Sequence, residues 1–223
     1  MSWILLIRHV ESYKNIRDEH GGKGDKLTIY GHNQIERILT SIKFIQNTFL
    51  LENKCKFNGI WCSEIIQINE TATLLGNFLS LQKHFDDRIR SLNLGLLSGL
   101  SKKDALKRHP KVANDLEKWR QDKLEIIDLI IPEAEIFQDF YQRGQDFINY
   151  ISNTKLNPII IGSRSILILL LNILLSRDPY KKKQYHPWIF HQPSMCLFKS
   201  NNNWNLLYTE GVYNCEYEAL QVN

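Results

Sequence analysis

A chain of 223 residues can bury one substantial core, and it shows no Pro-, Gly- or Ser-rich linker, so a single domain over residues 1–223 is expected. Its formal charge of +4 and sequence pI near 8.8 are mildly basic, and the one tight run, Lys181-Lys182-Lys183, lacks aromatic interleaving, which argues against a nucleic-acid partner. The four cysteines, Cys55, Cys62, Cys196 and Cys215, have no CxxC or metal-ligand spacing, and no basic leader with a long apolar segment opens the chain; free thiols in a cytoplasmic protein without a metal are expected.

A strand is expected over Ile4 to Ile7, then a long loop. A helix from about Asn33 to Phe49 sets Ile35, Ile38, Leu39, Ile42 and Phe49 on one core-facing stripe. A strand near Phe57 to Trp61 leads to a helix from about Glu70, and a short strand follows near Gln82 to Phe85. Ser101-Lys102-Lys103-Asp104 resembles a capping box with Asp replacing Glu, and Pro110 suits the first turn of the next helix, which runs past Trp119. Pro132 to Ser152 reads as a long amphipathic helix. Pro158 to Ile161 is a buried strand feeding a helix from Ser165 to Ser176, and Met195 to Phe198 with Trp204 to Tyr208 flank the turn former Asn201-Asn202-Asn203 as a hairpin. Strands alternating with helices predict an α/β fold with a parallel or mixed sheet covered on both faces. Ile159 to Leu175 is apolar enough to suggest a membrane span, but Gly162-Ser163-Arg164-Ser165 would put an Arg in lipid, so no membrane partner is expected.

Chemistry concentrates at Arg8-His9, at the carboxyl end of the first buried strand, where open α/β sheets place their sites. An imidazole beside a fixed cation can bind a phosphoryl group or accept one covalently. Arg8-His9 followed by Glu11 and Asn15 resembles the RHGExxxN signature of the histidine phosphatase (phosphoglycerate mutase-like) superfamily. Further segments resemble that family in order: Leu27 to Gln34, Trp61 to Ala72, Asp87 to Leu100, Glu135 to Arg143 and Ile159 to Leu167. The resemblance implies a three-layer α/β/α sandwich with a mostly parallel central sheet. It also implies a phosphate pocket of two Arg, two His and an acid, with no metal and no cofactor.

Arg8 and His9 stand in that pattern, but the second Arg falls on Gln67, the acid on Ser91, the second His on Ser163, and the Gly after the first His is Val10. Exchanging a bidentate guanidinium for an amide removes roughly 3 kcal/mol of transition-state stabilisation. Loss of a general acid costs a further factor of about 10² to 10⁴. Arg164 beside Ser163, or Arg90 beside Ser91, is a candidate replacement cation; Glu11, Glu135, Asp86 and Asp87 are candidate replacement acids, although a surface carboxylate is the commoner fate of such residues.

The sequence therefore reads as a degenerate family member that binds an anionic ligand, phosphorylated or carboxylated, or a partner protein, with ordinary hydrolysis weak or lost. Its expected site is Arg8, His9, Asn15, Gln67, Ser91, Ser163 and Arg164. The alternatives are an active phosphatase, mutase or repurposed enzyme in which His9 accepts the phosphoryl group, and a structural interaction domain. Gly21-Gly22-Lys23-Gly24 lacks the spacing of a phosphate loop. Tyr185, His186, Trp188, Phe190 and His191 form either a wall of the site or core and surface, and His20, His32, His84 and His109 are scattered without ligand spacing.

Overall fold

The computed structural model describes residues 2–214 and 218–220, so Cys215 lies outside the described residues. Its strands are β1 (Ser2–Arg8), β2 (Gly59–Cys62), β3 (Lys83–Phe85), β4 (Pro158–Gly162), β5 (Ile189–Asn201) and β6 (Asn203–Tyr213). They form one sheet in the order β3-β2-β4-β1-β5-β6. The first four are mutually parallel, whereas β5 runs antiparallel to β1 and β6 to β5. Burial of β1 and β4 on both faces explains their unbroken apolar runs, because a strand with one wet face would alternate.

The period-two alternation of side chains divides the core. Ile4, Leu6, Trp61, Ile160 and Phe198 face one cluster, with Phe147 of α6 (Phe137–Thr154) and Leu167 of α7 (Arg164–Leu174). Trp3, Leu5, Ile7, Ile60 and Ile161 face the other, with Ile38 of α2 (Ile29–Ile45) and Ala72 of α3 (Ile66–Leu79). Three layers result, as the motifs implied. Three shorter helices, α1 (Tyr13–Ile16), α4 (Lys102–Arg108) and α5 (Pro110–Arg120), lie outside the α2, α3 layer, and α5 adds Leu116 and Trp119 to the first cluster.

Several boundaries differ from expectation. α2 starts at Ile29 because Thr28 caps it, its hydroxyl accepting from the Gly31 N–H at 2.9 Å, and it ends at Ile45 in a π turn over Gln46–Leu50. α3 starts at Ile66, four residues before Glu70, which brings Gln67 to its first turn. α6 starts at Phe137 and not at Pro132: Glu133 sits at φ 61, outside the right-handed helix, and Pro132 accepts from the Leu96 N–H at 3.1 Å in a turn. Ser101 caps α4 as expected, yet the Asp104 carboxylate accepts the Ser101 hydroxyl proton at 2.7 Å. The hairpin is longer than expected and turns at Asn202, φ 77. Among the described residues no helix is long and apolar enough to cross a membrane, and Cys55, Cys62 and Cys196 are free thiols.

Candidate functional site

The site is built by two neighbouring strand ends. Arg8 is in register with Gly162, and the His9 N–H donates to the Gly162 carbonyl at 3.1 Å, which carries His9 and Ser163 off the sheet side by side. Beyond them opens a cavity of about 320 Å³ lined by all seven expected residues, Arg8, His9, Asn15, Gln67, Ser91, Ser163 and Arg164.

His9 is 3% exposed, and its Nδ1 lies 2.8 Å from the Val10 carbonyl. A carbonyl can only accept, so Nδ1 carries the proton and Nε2 keeps the lone pair. Burial, and after it the Arg8 charge, push the imidazole down to about 3, so it is neutral at physiological pH. The Arg8 guanidinium donates to the Phe190 carbonyl; burial and the nearby Arg164 charge bring it down to about 9. Asn15 Oδ1 receives the Ser12 N–H at 3.0 Å, the Ser12 hydroxyl at 2.8 Å and Gln192 Nε2 at 3.2 Å, leaving its amino group for a ligand.

Gln67 is 2% exposed, and its Oε1 accepts the Asp25 N–H at 3.1 Å, anchoring the glycine loop. Gly24 has to be glycine there: its φ is +88, and a Cβ would lie 2.0 Å from Gln67 Oε1. Ser91 Oγ donates to Ser163 Oγ at 2.6 Å, Ser163 Oγ lies 3.2 Å from Ser165 Oγ, and Ser165 Oγ accepts the Leu92 N–H at 3.1 Å. Ser163 begins α7 without capping it, since its hydroxyl is engaged by this chain.

The candidate replacements are sorted by their contacts. Arg164 lines the cavity, whereas Arg90 lines only an outer cleft of about 650 Å³ and pairs with Glu135 at 3.2 Å and Asp87 at 3.3 Å. None of the four candidate acids reaches the cavity. Glu135 is clamped by Arg143 at 2.7 Å, Asp86 by Arg88 at 2.6 Å, Asp87 pairs with Arg90, and Glu11 accepts the Thr28 hydroxyl at 2.8 Å. Arg143 also donates to the carbonyls of Arg88, Arg90 and Ser91, which fixes the Ser91 loop. Gly21, Gly22 and Lys23 line the outer cleft. Of the aromatic segment, Tyr185 lines the cavity, Trp188 and Phe190 are core, His186 lies 3.3 Å from Asp122, and His191 meets Tyr213 edge-on.

Sequence reasoning missed Lys14, Glu19, His20 and Gln192, which also line the cavity. Lys14 borders both openings, and burial, opposed by Glu19 and aided by Arg8, lowers its pKa. Gln192 Nε2 donates to the His9 carbonyl at 3.1 Å and the Val10 carbonyl at 3.3 Å, tying the hairpin to the motif. The only sequence signal for Lys14 is its adjacency to Asn15. Gln192 gave none.

Two buried neutral imidazoles make the stability of the fold depend on pH. His20 accepts from Arg120 on Nδ1 at 3.2 Å, and burial followed by the Arg120 charge brings it down to about 4. The unfolded chain protonates these groups from about pH 6.5 downward, so stability is complete above that pH and falls as pH drops toward 4. The His9→Asn, His20→Asn double variant is expected to lose less stability than wild type between about pH 7 and pH 4.5 in urea unfolding. Equal losses would contradict the assignment.

The fold that carries this site has counterparts among known proteins. The sequence matches the histidine phosphatase superfamily (branch 1) over residues 4–203, and the chain belongs to that superfamily. It is similar to the probable phosphoglycerate mutase GpmB of Escherichia coli, 27% identical over 146 residues that span 64% of this chain and 60% of that protein. The fold is similar to the alpha-ribazole phosphatase from Shigella flexneri, with a TM-score of 0.70 and 22% identity over 92% of this chain and 94% of that one. It is also similar to YhfR of Bacillus stearothermophilus, with a TM-score of 0.73 and 16% identity over 92% and 95%.

Proposed function

We propose that the protein binds an anionic ligand, phosphorylated or carboxylated, in the cavity at Arg8 and His9, and that ordinary phosphomonoester hydrolysis is weak or lost. The observation carrying this reading is the Ser91–Ser163 hydrogen bond of 2.6 Å, two hydroxyls where the family pattern implies an acid and a second imidazole. Arg8, Arg164 and Lys14 supply positive charge, and the Asn15 amide and Ser163 hydroxyl are neutral donors. The carboxylates lining the cavity, Asp18 and Glu19, are held by Lys102 at 3.3 Å and Arg17 at 2.5 Å, so neither is a ready proton donor to a leaving alkoxide. A cytoplasmic location accords with the free thiols.

A second reading, an enzyme with a rebuilt pocket, is favoured by the His9 tautomer, whose Nε2 lone pair is that of a phosphoryl acceptor. Incubation with phenyl phosphate across pH, beside a His9→Ala control, separates the two. The expected result is negligible turnover together with a thermal shift; at 100 times its dissociation constant a ligand adds about 2.7 kcal/mol of stability. Brisk turnover lost in His9→Ala would establish the second reading instead.

A further inference from the structure

The cavity is lined by two chemically distinct sets of residues. Arg8, Lys14, Arg164 and the hydroxyls of Ser91, Ser163 and Ser165 are polar, and Leu92, Leu94, Leu116, Trp119, Leu129 and Tyr185 present apolar surface. Leu92, Leu94 and Leu129 are half-buried and pack against the core, and Leu116, Trp119 and Tyr185 are buried.

The other charged groups of the lining already have partners. Lys102 holds Asp18, and Arg120 holds Glu117 and His20. A ligand body rich in hydroxyls or carboxylates would have to surrender its hydration there against leucine side chains and engaged ion pairs, which is unfavourable. An apolar body would instead remove its own surface and that of three leucines from water, which is favourable in proportion to the area covered.

We propose that the ligand is a phosphomonoester of an apolar alcohol, aryl or alkyl, with its phosphoryl group on Arg8 and Lys14 and its body against Leu92, Leu94 and Leu129. This deepens the anion-binding reading and rests on it. Specificity then divides along the cavity: charge fixes one end of the ligand, and exclusion of water selects the other.

Isothermal titration of the full chain with inorganic phosphate, glycerol 3-phosphate and 1-naphthyl phosphate tests this. The naphthyl ester is expected to bind at least tenfold more tightly than the glycerol ester, a gap of about 1.4 kcal/mol. Leu129→Asn and, separately, Leu94→Asn are expected to narrow that ratio. If either variant fails to fold, the wild-type ratio decides alone. Equal affinity for the two esters would overturn the inference while leaving anion binding intact, whereas no binding by any of the three would overturn both.

Discussion

Replacing two serines, Ser91→Glu with Ser163→His, is expected to raise the turnover of phenyl phosphate by about 10² to 10⁴-fold, the contribution of a positioned proton donor to such a reaction. The scaffold favours this gain. Ser91 and Ser163 already lie within hydrogen-bond distance beside a neutral His9, so a carboxyl and an imidazole placed there face the same space. Gln67 is left in place because its Oε1 anchors the glycine loop through the Asp25 N–H, and an Arg would lose that acceptor. Phosphoryl transfer asks mainly for positioning and charge, so a cavity that keeps Arg8 and Arg164 near each other lacks chiefly the donor. Steady-state kinetics on the wild type, the double variant and the double variant carrying His9→Ala measure the effect. A folded double variant no faster than wild type would mean that the loss of chemistry lies elsewhere.

Removal of one guanidinium is expected to have the largest effect on stability. In Arg143→Met the Glu135 carboxylate, 9% exposed, keeps only Arg90, and three carbonyls, of Arg88, Arg90 and Ser91, lose a charged donor. Breaking a buried ion pair costs up to about 3–5 kcal/mol, with the retained Arg90 contact placing this loss toward the lower end, against a total stability on the order of 5–15 kcal/mol for a globular domain. Urea unfolding followed by circular dichroism measures the change. Adding Glu135→Leu should return part of the loss, because it removes the carboxylate that Arg143 no longer compensates. A change of less than about 1 kcal/mol in Arg143→Met would show that Arg90 alone suffices.

Local signals decided what could be read from the chain alone. β1 and β4 were legible because burial on both faces leaves continuous apolar runs, and α2 because its stripe recurs at helical spacing. The start of α6 was not, since the left-handed turn at Glu133 answers to a distant carbonyl contact with Leu96 and not to its neighbours. At the site, the seven expected residues line one cavity because six belong to motifs tied to a strand end or a helix start, and the loop of the seventh, Ser91, is fixed by Arg143. Gln192 reaches the site from 183 residues downstream along the hairpin, a separation that no local pattern records. The difference between Arg164, which lines the cavity, and Arg90, which pairs with Glu135, depends on how the start of α7 and the Ser91 loop are each oriented; adjacency to Ser163 or Ser91 does not contain that information.

The paired hydroxyls at Ser91 and Ser163 have a further consequence. Each can turn its hydrogen outward or inward by rotation about one bond, acting as donor or acceptor as required. An imidazole facing a carboxylate would tie the choice of guest to the acidity of the medium. Two alcohols keep their own protons across the working range, so this wall presents the same face to a guest whatever the acidity of the medium.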